Sequence, residues 1–217
     1  MTAQTVVLSE LEHDALTELV NIGVSKAASG LRDMVGEHVV LSVPSVEVVS
    51  RKAAASLIQE RESGELVAVR QDFEGAFSGR ALLIFPESNS LALVRAVTGD
   101  ELPPEDVSAM ETEALAETGN VVLNGCLATM ANMLKRPLTM SLPQVIRGDG
   151  ELVFELSARP DDQGVVLFLY INFSISGRNI RGYIAMLMDL PSLEALKVLI
   201  GEFIDRVMGA DDLGQLS

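Results

Sequence analysis

The chain has 217 residues, a formal net charge of −15, a hydrophobic fraction of 48% and one cysteine. The length suits one or two compact domains, and the apolar fraction is ample for a packed core. The acidity excludes a protein whose main work is neutralising nucleic-acid phosphates, which requires a basic face, so no nucleic-acid partner is expected. Cys126 has no second cysteine to pair with and sits in an apolar helical run, which predicts a reduced, buried thiol. No apolar stretch approaches the roughly 18 residues needed to cross a bilayer, and no basic segment leads into an apolar run at the N-terminus. A cytoplasmic chain with no membrane insertion is the expectation.

From Ser9 to about Met34 the pattern is that of a long amphipathic helix, with Ser9 as N-cap and Glu12 three residues on as its capping-box partner. Stepping 100° per residue gathers Leu16, Leu19, Val20, Gly23, Ala27, Gly30 and Met34 on the core side, and Asp14, Glu18, Asn21, Ser25 and Arg32 on the opposite side. His38 to Val49 is rich in β-branched residues and reads as a strand, with Pro44 marking an edge, a bend or a bulge. A short helix from Ala53 to Glu60, strands from Glu65 to Phe73 and Ala76 to Phe85, and a helix from Glu87 to Val97 follow.

The acidic, proline-bearing segment Asp100 to Asp106 reads as a connection, after which a second cycle begins. A helix from Pro104 to Lys135 is predicted to bury Leu115, Gly119, Val122, Cys126, Thr129 and Met133, and to expose Glu113, Glu117, Asn120 and Asn124 along one line. Extended segments are predicted at Pro137–Ile146, Glu151–Leu156, Val165–Ile175 and Arg181–Met188, and a closing helix at Pro191–Met208. The run from Gly79 to Pro86 resembles that from Gly182 to Pro191. An internal duplication is the simplest account. The expectation is an α/β (α+β sandwich) fold with pseudo-twofold duplicated αβββα-like halves, about 9–99 and 104–208. These would share a largely antiparallel sheet and display two long motif-bearing helices in a single domain, 1–217, with a short disordered acidic tail, Gly209 to Ser217.

The duplication has a chemical core. Asp14, Glu18, Asn21 and Pro44 recur as Glu113, Glu117, Asn120 and Pro143 at identical spacing. Asparagine is a poor helix former because its amide competes for backbone hydrogen bonds, so helix stability does not ask for Asn21 or Asn120. An amide both donates and accepts and can therefore orient a water, while a carboxylate on the adjacent turn can pair with a cation on another molecule. Neither is a strong nucleophile, so the pair suits a site completed by a partner, where positioning lowers the barrier.

These residues resemble the CheC/CheX/FliY chemotaxis phosphatases, whose signature is aspartate or serine, three residues, glutamate, two residues, asparagine, twenty-two residues, proline. The first copy matches fully. The second carries Glu113 where the family has aspartate or serine, which ranks the first copy as the better match. Two copies in a chain of this length look like CheC. CheX resembles a single-site subunit that dimerises, and FliY-like members carry a further C-terminal domain for which only Gly209 to Ser217 remain here.

The resemblance implies hydrolysis of the aspartyl phosphate of a CheY-type response regulator. Glu18 and Glu117 would salt-bridge the regulator's lysine, and Asn21 and Asn120 would orient the attacking water. Asp14 and Glu113 would assist docking, and Pro44 and Pro143 would shape the strand beneath each helix. It implies no cofactor held by this chain, with Mg2+ on the phosphorylated CheY-like partner. The alternative is a non-catalytic adaptor that binds a receiver domain or a CheD-type deamidase.

Other chemistries lack residues. His13 and His38 have no neighbours at ligand spacing, so a protein-held metal is not expected. Gly148-Asp-Gly150 reads as a turn, no Walker-type run exists, and no histidine is placed to serve a nucleophilic triad. The nine methionines fit core positions.

Overall fold

The computed structural model describes residues 8–36, 38–98, 104–156, 164–175 and 178–214. The first half contributes α1 (Glu10–Val35), β1 (Val39–Ser50), α2 (Arg51–Arg61), β2 (Leu66–Gly75), β3 (Gly79–Pro86) and α3 (Glu87–Thr98). The second contributes α4 (Pro104–Leu134), β4 (Leu138–Met140), β5 (Gln144–Gly148), α5 (Gly150–Val153), β6 (Val165–Ile175), β7 (Arg178–Met188) and α6 (Leu190–Gly214). The start of α1 is set by the predicted capping box: the Ser9 hydroxyl accepts from the Glu12 amide and the Glu12 carboxylate accepts from the Ser9 amide. Gly36 closes the helix at φ +72°, a left-handed conformation that glycine adopts without Cβ strain.

The seven strands of the described residues form one antiparallel sheet in the order β1-β6-β7-β3-β2, with β4 and β5 both paired to β2. The halves therefore exchange edge strands. β1 of the first half pairs with β6 of the second, β4 and β5 of the second pair with β2 of the first, and β3 and β7 meet in the middle. Side chains alternate between two apolar layers. Val67, Val69, Phe73, Leu83, Leu167, Leu169 and Ile184 face α1, α3, α4 and α6, whereas Ala68, Leu82, Ile84, Phe168, Tyr170 and Tyr183 face α2 and α5. Covering both faces explains why the central strands read as continuous hydrophobic runs.

Helices α1 and α4 are antiparallel and close. A Cβ built on Gly23 would lie 3.0 Å from the Cys126 backbone, one on Gly125 would lie 2.9 Å from Ala27 Cα, and one on Gly30 would lie 3.2 Å from the Val121 side chain. Cross-half ties reinforce the exchange: Glu12 on α1 pairs with Lys197 on α6 at 3.5 Å, while Glu111 on α4 accepts from Ser90 on α3 at 2.8 Å.

Several expectations need correcting. Glu151 to Leu156 is not a strand: Asp149 caps a helical turn, its carboxylate accepting from the Leu152 amide at 2.9 Å, and Val153 and Phe154 plug the smaller core. A short apolar run does not distinguish strand from buried helix. The strand predicted for Pro137–Ile146 is split into β4 and β5. Helix α6 runs on to Gly214, past the predicted end at Met208 and through most of the stretch expected to be disordered, since one glycine in a helix costs only about 1 kcal/mol. The registers Gln71↔Ala81 and Ile171↔Gly182 make Ala81, not Gly79, the counterpart of Gly182; a two-residue slip preserves strand faces and so escapes notice in sequence. The predicted connection from Asp100 lies partly outside the described residues.

Candidate functional site

The helix patterning places both motifs as expected. Asp14 and Glu18 on α1 and Glu113 and Glu117 on α4 are exposed, and Asn21 and Asn120, one turn deeper into each helix, are half-buried. Among the described residues, none of the four carboxylates of Glu18, Glu113, Glu117 and Asp14 accepts a hydrogen bond, and Asp14 has only the His13 ring at 3.9 Å. Because α1 and α4 run antiparallel and Gly23 meets Cys126, the two motifs sit towards opposite ends of the helix pair, with Asn21 and Asn120 roughly 14 Å apart along the axis at 1.5 Å per residue.

Both prolines fall at a break in an edge strand. The register of β1 shifts between Ser42 and Ser45, so Val43 and Pro44 together oppose Ile171 of β6. In the second copy Ser141 donates its amide to the Asp72 carbonyl at 2.9 Å and Gln144 pairs with Arg70, so Leu142 and Pro143 together oppose Gln71 of β2. Each is a two-against-one bulge, which a residue without an N–H favours. Helix and bulge are tied differently in the two copies. His13 on α1 donates from Nε2 to the Val46 carbonyl at 3.1 Å, just past the first bulge. At the second, Gln71 Nε2 donates both to the Ser141 carbonyl at 2.9 Å and to Asn120 Oδ1 at 3.2 Å, and Asn124 Nδ2 donates to the same Asn120 oxygen at 2.7 Å. Asn21 has no such partner among the described residues.

Sequence reasoning missed Gln71. Its signal lay in the period-two pattern of β2, where the inward positions are Val67, Val69, Gln71 and Phe73, a lone amide among apolar residues that is only 1% exposed. Leu142, 85% exposed beside Pro143, was likewise overlooked, whereas its counterpart Val43 packs against the core.

Gly119 brings α4 down onto β2: a Cβ there would stand 2.3 Å from a Val69 methyl. The sequence predicted Gly119 on the buried side, and the close approach is what sets Asn120 within reach of Gln71.

Antiparallel strands, two bulged edge strands and two helices each bearing an exposed glutamate and a half-buried asparagine define a duplicated α/β scaffold. A family model described as chemotaxis phosphatase CheX matches residues 67–167. The CheY-P phosphatase CheC of Bacillus subtilis is 25% identical over 207 residues, 89% of this chain and 96% of that protein. The flagellar motor switch phosphatase FliY of the same organism is 26% identical over 161 residues, 73% of this chain, and the chain spans 42% of that relative's length. The X-ray structure of Thermotoga maritima FliY has the same fold, with a TM-score of 0.67 at 18% identity, covering 91% of this chain and 100% of that one. The chain is thus similar to the CheC/CheX/FliY chemotaxis phosphatases, in the family model over its middle and in the CheC relative along most of its length.

Proposed function

We propose that the protein hydrolyses the aspartyl phosphate of a CheY-type response regulator, using Glu18 with Asn21 and Glu117 with Asn120 as two separate sites. The observation that carries this reading is the recurrence, on two exposed helix faces, of a glutamate with no partner among the described residues, one turn from an asparagine, in a chain whose relative over most of its length is named a CheY-P phosphatase. A carboxylate free of internal ion pairs is available to a lysine of the partner, and a close charged pair at an interface fixes register as well as adding affinity.

The asparagine then stands beside the phosphoryl group. An Nδ2–H given to one lone pair of a water leaves the other lone pair for phosphorus. The water oxygen bonds to phosphorus as the bond from phosphorus to the aspartyl oxygen breaks. The aspartate leaves as carboxylate, the water gives up a proton to solvent, and inorganic phosphate is released. Most of the rate gain in such a displacement comes from alignment and charge neutralisation. In this reading the Mg2+ and the phosphorylated aspartate both belong to the regulator, and the chain supplies one glutamate and one amide at each site. Asp14 and Glu113, one turn before each glutamate, border the docking surface, and Pro44 and Pro143 set the bulge beneath each helix.

The test follows the decay of a phosphorylated regulator with wild-type protein, Asn21→Ala, Asn120→Ala and the double variant. Each single change lowers turnover and the double brings decay close to the regulator's own rate. Wild-type protein that binds the phosphorylated regulator without shortening the phosphate's lifetime would refute hydrolysis and favour the adaptor alternative.

A further inference from the structure

We propose that Gln71, a residue of the first half, is the positioning residue of the second site, and that it makes the two sites unequal. This rests on the phosphatase reading. The amide orientations follow from the chemistry of the acceptors. The Ser141 carbonyl can only accept, so the Gln71 atom 2.9 Å from it is Nε2. The second hydrogen of the same nitrogen is directed to Asn120, 3.2 Å away, so the Asn120 atom facing it is Oδ1, and that oxygen also accepts from Asn124 at 2.7 Å. With its oxygen held by two donors on the strand side and along the helix, Asn120 is left with Nδ2 as the free edge of its amide. The side chain is fixed in the donating orientation that the hydrolytic step requires.

Among the described residues the first copy lacks both donors. Ile171, opposite the Val43–Pro44 bulge as Gln71 is opposite the Leu142–Pro143 bulge, is 2% exposed and packs in the core, and Ser25 stands on α1 where Asn124 stands on α4. With no hydrogen-bond partner for Asn21 among the described residues, each turnover at the first site must include the ordering of that side chain. Gln71 is also an expensive choice for a core position. Its Oε1 is buried and meets no donor among the described residues, a burial that costs free energy whereas the isoleucine of the other copy costs none. A residue that is unfavourable for packing and aimed at a motif side chain is placed for the site.

The experiment places Gln71→Met, which keeps the volume and removes the Gln71 N–H donors while leaving that of Asn124, into Asn21→Ala and Asn120→Ala backgrounds of the full chain, each leaving one site. In the Asn21→Ala background kcat falls about tenfold, the worth of one side-chain hydrogen bond, with KM little changed because Gln71 does not reach the surface. In the Asn120→Ala background nothing changes, which a general loss of folding would not produce. Equal losses in both backgrounds, or none in either while wild-type protein accelerates decay, would overturn the proposal. If wild-type protein does not accelerate decay, the phosphatase reading fails, and the clamp is judged on the protein alone by its 15N side-chain amide spectrum. Gln71→Met is expected to shift the Asn120 Nδ2 resonances and leave those of Asn21 in place. Unmoved Asn120 resonances would refute the clamp.

Discussion

Gly119→Ala gives the sharpest test of how α4 is seated. In a solvent-facing helix position, glycine to alanine stabilises by about 1 kcal/mol through helix propensity. At Gly119 the new methyl would lie 2.3, 2.5 and 2.8 Å from three atoms of the Val69 side chain, which is itself fully buried in the sheet. Neither a helix backbone nor an interior strand yields easily, so overpacking at the upper end of about 1–3 kcal/mol outweighs the propensity gain and leaves a net loss of about 1–2 kcal/mol. For a chain of this size that is a fall in Tm of roughly 2–8 °C. Gly201→Ala in α6, where no atom lies within 4 Å of the added Cβ, is the control and should raise Tm by roughly 2–4 °C. Calorimetric or circular-dichroism melts of the two variants, with Val69→Ala and the Gly119→Ala/Val69→Ala pair, complete the cycle. The double variant should cost less than the sum of the singles by about 1 kcal/mol or more, since the smaller side chain makes room for the methyl. A Gly119→Ala protein as stable as wild type would refute the close packing of α4 on β2, and with it the reach of Gln71 to Asn120.

Two further outcomes are expected. Burial pushes the Cys126 thiol up to about 12, so only about one part in 10⁴ is thiolate at pH 8; a thiol reagent should leave the folded protein unlabelled and modify it fully once unfolded, and stoichiometric labelling of the native state would contradict the buried position. Partial burial raises the Asp72 pKa, but hydrogen bonds from Arg80 and Arg70, within a cluster that also holds Glu155 and Arg51, outweigh it and leave the carboxyl below its usual value. A depressed carboxylate pKa contributes stability that is present above the unfolded value of about 3.9 and lost as pH falls through the folded one. Asp72→Asn should therefore flatten the fall of Tm below about pH 4, and parallel curves for the two proteins would remove Asp72 from that role.

What the sequence disclosed is what local physics controls. The α1 start was legible because a capping box is a four-residue event, and the motif glutamates and asparagines were legible because a 3.6-residue repeat assigns faces without knowledge of partners. Pro44 announced a break in its strand because a missing N–H cannot be hidden, whereas the break at Pro143 went unread inside one predicted segment. The pairing of β1 with β6 and of β5 with β2 was not legible. Each joins residues of different halves, and strands with both faces buried lose the alternation that would fix their neighbours. Ranking the two sites on Glu113 alone looked along the helix, whereas the difference at the asparagines comes from the sheet.

The exchange of edge strands changes what the duplication means for the sites. Each bulge carries the proline of its own half but is read out by a residue of the other: Ile171 of β6 opposes the first, Gln71 of β2 the second. A motif helix, its own bulge and a strand position from the opposite half must therefore coincide before either asparagine is in place, so neither half contains a whole site. The same exchange lets the copies diverge without touching their motifs. A glutamine in place of an apolar residue at one inward strand position, with asparagine for serine one turn past the motif, gives Asn120 two donors that Asn21 lacks among the described residues. The proposed inequality between the sites thus rests on residues that no motif contains, at the positions where one half supports the other.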